Sequence, residues 1–304
     1  RKRPEGFGKL WKWYSSILEN QKYEDKFYWH FHSVPVSGIG TEYNSSWTNN
    51  DWHEQVLCKR IIEYEWFPSV FRSGGHIQSL DLSFWLEMFI PFDFSRKDIF
   101  TEDYETGDWR GAPKNWDGYN PSFFDYRKNG NMKRTIFRCL EINSGRKKML
   151  NVEDIESAFK QANSGRPAIL AYSNHDRRDI GPEVEHMYKL IREASKLYPK
   201  VNWSYKNAIE AIRLTKRKKQ KTNLRLNVIR KNDKVLIESN KKTFCSLPFV
   251  AVKNKENRFF RDNPSIEKAN LRWLYKIRNL DNIDQIGIAV TYDDGSVLTQ
   301  NIKI

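Results

Sequence analysis

The chain has 304 residues and a formal net charge of +14, from 52 basic and 38 acidic residues. With 39% hydrophobic and 30% charged residues it has the composition of a soluble globular protein, and no apolar run approaches the roughly 20 residues that a membrane helix needs. Three cysteines, Cys58, Cys139 and Cys245, are widely spaced and odd in number, which argues against a disulfide framework or a paired-cysteine zinc site.

Length favours two domains. The first residues, Arg1-Lys2-Arg3-Pro4, lack the apolar core of a signal peptide, so the expected compartment is cytoplasmic. The chain does not begin with Met, and a segment upstream of Arg1 is an open expectation. The positive charge is compatible with nucleic acid, an anionic membrane surface or an acidic polysaccharide. Its one dense cluster, 216–221, reads as part of a solvated linker, because no nucleic-acid-binding signature accompanies it.

In chain order, 4–20 carries apolar residues at helical spacing, from Leu10 and Trp11 to Ile17 and Leu18. The aromatic run Phe27-Tyr28-Trp29-His30-Phe31-His32 follows as a strand. A polar loop spans 33–50. A helix fits 51–66 with Asp51 as candidate N-cap. The stretch 67–72 is extended and runs into Ser73-Gly74-Gly75-His76. A helix over 82–89 is capped by Ser79 or Asp81, and 91–95 is a strand or turn. Residues 101–131 form an irregular excursion rich in Gly, Pro, Asp, Trp and Tyr. Then come a strand at 135–140, a turn at 143–145, a helix at 151–162 and a buried strand at 167–173. A helix at 182–197, a short strand at 201–203 and a helix at 205–214 complete this part. Strands alternating with helices of ten or more residues predict parallel βα units. After a basic linker at 216–222, short alternating segments at 224–229, 234–238, 249–252, 286–291 and 296–304 predict a small antiparallel β-sandwich over 223–304.

Side chains alternate along a strand, so Tyr28, His30 and His32 share one face and Phe27, Trp29 and Phe31 the other. Two imidazoles on one strand face can hold a divalent metal, or can be hydrogen-bonded to each other in a polar interior. In open α/β sheets and barrels chemistry gathers at the C-terminal ends of the strands. His30 and His32 end one strand, Arg72 another, and Asn174-His175-Asp176 a third. Arg72 can orient a carboxylate or a substrate oxygen. His76 can ligate metal or line the loop, and lining is the reading adopted. His175 beside Asp176 and Asp179 suits general acid or base work. His53 and His186 lie in helical stretches and read as structural.

The ordered series Trp29-His30-Phe31-His32-Ser33, Phe71-Arg72-Ser73-Gly74-Gly75-His76, the strand ending in Asn174-His175-Asp176 and a late tryptophan before a helix resembles the polysaccharide deacetylase (NodB homology) family over 4–215. The resemblance implies an imperfect seven-stranded (β/α) barrel that removes acetyl groups from N-acetylated sugars. In that family an Asp and two His hold a divalent metal, a second Asp is the base and a late His is the acid. Carried over, His30 and His32 hold the metal (Zn, Co or Ni), Arg72 organises the base and His175 is the acid; Asp176 and Asp179 are the nearest candidates for the base and the metal-binding carboxylate. Asn174, Tyr172 and Trp116 are the expected substrate-binding residues. The chain departs from the family in having His-x-His, in lacking proline after Arg72 and in lacking an Asp-Asp-Gly strand before the histidines. The similar Thr291-Tyr292-Asp293-Asp294-Gly295 reads as a tight hairpin turn. The expected activity is metal-dependent carbohydrate deacetylation. A non-catalytic glycan-binding protein on the same scaffold and a basic nucleic-acid-binding protein are the alternatives.

Overall fold

The computed structural model describes residues 7–19, 25–32, 47, 51–97, 107–142, 150–175 and 179–304. The expected loop at 33–50 (Trp47 apart), the turn at 143–145 and the first part of the excursion at 101–131 lie outside the described residues. So does Asp176.

The N-terminal part runs α1 (Phe7–Glu19), β1 (Trp29–Phe31), α2 (Trp52–Tyr64), β2 (Val70–Ser73), α3 (Leu80–Phe89), β3 (Phe92–Arg96), β4 (Thr135–Glu141), α4 (Val152–Asn163), β5 (Ala171–Ser173), α5 (Gly181–Leu197) and α6 (Ala208–Thr215). The five strands pair in parallel in the order β1-β2-β3-β4-β5. Strands laid down consecutively wind in one direction and curl the sheet into a half-barrel. The segment 201–203, expected as a strand, forms no strand, and only the last three residues of 167–173 join the sheet.

Local chemistry explains several element ends. Ser79 accepts a hydrogen bond from the Leu82 amide at the start of α3, and Asn151 and Asp154 form a reciprocal capping box on α4. Asn207 caps α6 and also accepts from the Tyr28 hydroxyl, which ties that helix to β1. Asp51 stands at the head of α2 without capping it; its carboxylate accepts from the Gln55 side chain instead.

Period-two alternation assigns the two faces of the sheet. Trp29 and Phe71 pack outward against Leu57 and Ile61 of α2 and Trp85 and Phe89 of α3, while Leu140 packs with α4 and α5. Inside, Phe92, Phe94, Phe137 and Cys139 meet Ile209 and Ile212 of α6.

The C-terminal part contains β6 (Leu226–Lys231), β7 (Lys234–Ser239), β8 (Phe249–Asn254), β9 (Phe259–Asp262), β10 (Ser265–Lys268), β11 (Arg272–Lys276), β12 (Ile283–Thr291) and β13 (Val297–Lys303). They form two four-stranded antiparallel sheets, β10-β11-β7-β6 and β13-β12-β8-β9. Val235, Ile237, Trp273 and Tyr275 of the first pack on Val250, Val252, Ile286 and Ile288 of the second, as expected of a sandwich.

The sandwich shares a core with the α/β part. Phe249, Ala251, Ala289, Val290 and Tyr292 are buried in one cluster with α2 and α3. Gly287 is needed at this contact, because a β-carbon there would stand 2.6 Å from Ile61. The basic segment is not a free tether. The Lys218 ammonium donates to the Asp293 carbonyl, Lys221 pairs with the Asp293 carboxylate, and the Lys221 amide donates to Asp294.

Candidate metal and substrate site

Polar side chains end every strand of the parallel sheet. His30 lies in β1 and His32 follows it, Arg72 lies at the end of β2, Lys97 follows β3, Glu141 ends β4 and His175 follows β5. Parallel register puts His30 beside Arg72 and Glu141 beside Ser173.

The two histidines converge, with His30 Nε2 at 3.2 Å from His32 Nε2. The other nitrogen of His30, Nδ1, lies 2.9 Å from the Arg72 carbonyl. A carbonyl only accepts, so Nδ1 carries the proton and Nε2 keeps its lone pair. The His30 ring is exposed on its cavity side but desolvated by its neighbours, and that desolvation, then the charge of Arg72, lowers its pKa to about 4. The ring is neutral at pH 7, as a ligand must be, and its backbone-held tautomer is the usual arrangement behind a ligating imidazole. Two nitrogens 3.2 Å apart, each about 2.1 Å from one ion, subtend about 100° at that ion, within the range of tetrahedral coordination. The same separation suits a hydrogen bond from protonated His32 Nε2, a proton that metal binding would displace. No group of three His, Cys, Asp or Glu able to hold a metal is present among the described residues. The imidazoles therefore fit two positions of a coordination shell and leave the others to be filled.

Arg72 is held from behind. Its Nη2 donates to His76 Nε2 at 2.9 Å, and His76 Nδ1 donates to the Ser95 carbonyl at 3.0 Å. Gly75 and His76 have φ of 60° and 55°, a left-handed turn that carries the His76 ring into the sheet end, where it is 1% exposed. Burial, then the charges of Arg72 and Lys97, keep His76 neutral. It buttresses the guanidinium, which agrees with its reading as a lining residue.

Glu141 was not anticipated. Its carboxylate stands 3.6 Å from Lys97 Nζ, 3.9 Å from His76 Nε2 and 4.0 Å from His175 Nδ1. The signal was available, since a carboxylate directly ends the strand read at 135–140. Lys97 was missed because the bulge between Asp93 and Arg96 extends β3 past the residues that alternate cleanly.

The other expected residues separate. The Asn174 side chain accepts from the His175 amide, and Tyr172 lines a cavity of about 890 Å³ that reaches His30 and Arg72. Burial raises the Tyr172 hydroxyl to a pKa of about 12. Trp116 is placed elsewhere: it is 2% exposed among α4 and α5 residues, donates to Ser157 and lies 3.8 Å below the Arg138 guanidinium. It packs the outer face of the sheet. Asp179 accepts from the Gly181 amide at the head of α5. His53 packs against Trp47 and Phe31 in the outer core, and His186 contacts the Leu150 carbonyl.

The Asp293-Asp294-Gly295 sequence is the tip of the β12–β13 hairpin and docks at the opposite end of the sheet. Ser69, just before β2, donates to the Gly295 carbonyl, and a β-carbon on Gly295 would meet Ile209 at 2.5 Å and Phe92 at 3.1 Å. Arg213 of α6 donates to the Asp294 carbonyl at 2.9 Å and reaches its carboxylate at 3.4 Å. No helix among the described residues is long and apolar enough to cross a membrane. No family model, curated protein or solved structure matches this chain.

Proposed function

We propose that the chain is a metal-dependent hydrolase of the polysaccharide deacetylase type, which cleaves the amide of N-acetylated sugars on an imperfect (β/α) barrel. The observation that carries the reading is the convergence of His30 and His32, with His30 Nδ1 held on the Arg72 carbonyl so that Nε2 faces His32. Support comes from its position at the C-terminal ends of consecutive parallel strands and from the ordered histidine and arginine motifs.

A divalent ion, when bound by His30 and His32, supplies Lewis-acid polarisation of the acyl carbonyl and activates water. The chain's own groups do the rest. Arg72, fixed by His76, directs its positive charge at the oxygen that gains charge or at the carboxylate that acts as base. His175 carries a proton to the departing amine nitrogen, and Glu141 favours the imidazolium that does so. The aromatic cavity wall favours a second reading, a glycan-binding protein without turnover.

The test is acetate release from N-acetylated oligosaccharides with added Zn, Co or Ni, and again after chelation. Turnover that is lost to a chelator and restored by metal is expected. Turnover indifferent to chelation, or saccharide binding without acetate release under any metal, contradicts the proposal.

A further inference from the structure

The cavity that opens from His30 and Arg72 takes in inner-face residues such as Phe94 and Cys139, Phe159 of α4 and Tyr172 of β5, and reaches Trp203 and Tyr205. At about 890 Å³ it is at the upper end of the sizes that ordinary small-ligand sites have. Its lining has a one-sided charge. Among the described residues, Arg72, Arg166, Lys200, Lys206 and Arg217 contribute to it, and no Asp or Glu does. Arg166 and Lys206 have acidic partners outside the lining, Asp117 at 3.0 Å and Glu210 at 3.9 Å. At the histidine end, Arg72 Nε is buried with no hydrogen-bond partner among the described residues, although Nη2 is engaged by His76. A partly buried guanidinium whose Nε is an unused donor is matched by an oxygen anion, to which arginine donates in pairs.

The far wall is aromatic. Trp203 is 40% exposed and Tyr205 55% exposed, and their rings meet edge to face at 5.5 Å. Large exposed rings on a cavity wall offer flat apolar surface with a polar edge, which suits stacking on a sugar face. They stand on the segment before α6, which forms no strand pairing, and Tyr205 is hydrogen-bonded to Tyr172 of β5.

We infer that this cavity binds an acidic saccharide, with sugar rings on Trp203 and Tyr205 and carboxylates met by Lys200, Arg217 and Arg72. The inference rests on the saccharide reading given above and adds the charge of the ligand. The probes are a tetrasaccharide of alternating glucuronic acid and N-acetylglucosamine and the same compound with its carboxylates reduced to alcohols. Titration calorimetry on the full chain is expected to show the acidic form binding at least about tenfold tighter, with that excess shrinking as salt rises. The double variant Lys200→Gln/Arg217→Gln removes most of the excess. Trp203→Ala weakens both forms alike. Equal binding of the two forms, or an excess that survives the double variant and high salt, overturns the inference and leaves the saccharide reading standing. Binding of neither form overturns the inference too, and acetate release from neutral N-acetylated oligosaccharides then decides the deacetylase reading separately.

Discussion

The His32 imidazole occupies the space that a side chain on Gly74 would need. A β-carbon at position 74 would stand 2.2 Å from Cγ, 2.4 Å from Nδ1 and 2.5 Å from Cδ2 of that ring. The Gly74-Gly75 step thus seats the second histidine of the pair while Arg72, two residues earlier, orients the first. Gly74→Ala should push the His32 ring aside and weaken divalent-metal binding on the order of 10- to 100-fold, the usual effect of disturbing a ligand's support. Calorimetric titration with Zn checks it. Unchanged affinity would mean that His32 is not held for a metal.

His76 gives a second expectation. His76→Ala removes both the acceptor of Arg72 Nη2 and the donor to Ser95, leaving buried polar atoms unpaired. Such a loss costs about 1–3 kcal/mol. Urea unfolding measures that cost. Acetate release should fall as well, because Arg72 loses its fixed direction. A variant with wild-type stability and wild-type turnover would remove His76 from the account.

The hairpin tip is expected to behave differently. Asp294 is 2% exposed, and its carboxylate accepts from the Lys221 amide at 2.7 Å and from the Ser296 hydroxyl at 2.8 Å while facing Arg213. Asp294→Ala should cost about 3 kcal/mol, as breaking a buried pair does. Thermal unfolding reports the loss. Turnover per folded molecule should stay unchanged, since the tip lies at the end of the sheet away from the histidines. Full stability with lost turnover would instead make this carboxylate catalytic.

Acid should destabilise the fold through His53. Burial lowers its pKa from 6.5 to about 4, while Glu54 and Asp51 beside it and Asp81 of α3 pull upward and Arg261 of β9 pulls downward. Between about pH 4 and 6.5 the unfolded chain binds the proton that the folded chain refuses. Stability therefore falls as pH drops through that window, by up to about 3 kcal/mol from this residue. Denaturant unfolding at pH 7 and pH 5 measures the loss, and His53→Phe should reduce it by this residue's share, with His30 and His76 retaining theirs. Equal stability at the two pH values for the wild-type chain contradicts the assignment.

The alternation in Tyr28-Trp29-His30-Phe31-His32 was legible because one face is aromatic and buried while the other is polar. The structure keeps that division, with Trp29 in the outer core and Tyr28 on α6. The helices over 51–66, 151–162 and 182–197 were legible from apolar spacing and caps. Strand β11 alternates as cleanly as any, yet Arg272-Trp273-Leu274-Tyr275-Lys276 escaped notice. The turns that frame it use Asn270 and Asn279 at positive φ without an accompanying Gly. Strand β10 is exposed along its whole length and carries no pattern to read. Trp116 was misplaced because composition tells that a tryptophan lies near strand ends but not which face of the sheet it covers. Glu141 and His76 depend on where separate strands end relative to one another, which only the parallel register fixes.

The central claim is that His30 and His32 hold one divalent ion. Its most direct test is the metal stoichiometry of the full chain after dialysis against Zn, measured by elemental analysis beside His30→Ala and His32→Ala. The account predicts one ion per wild-type chain and loss of it in both variants with the fold intact. No stoichiometric metal in the wild type, or the same metal content in all three proteins, contradicts it.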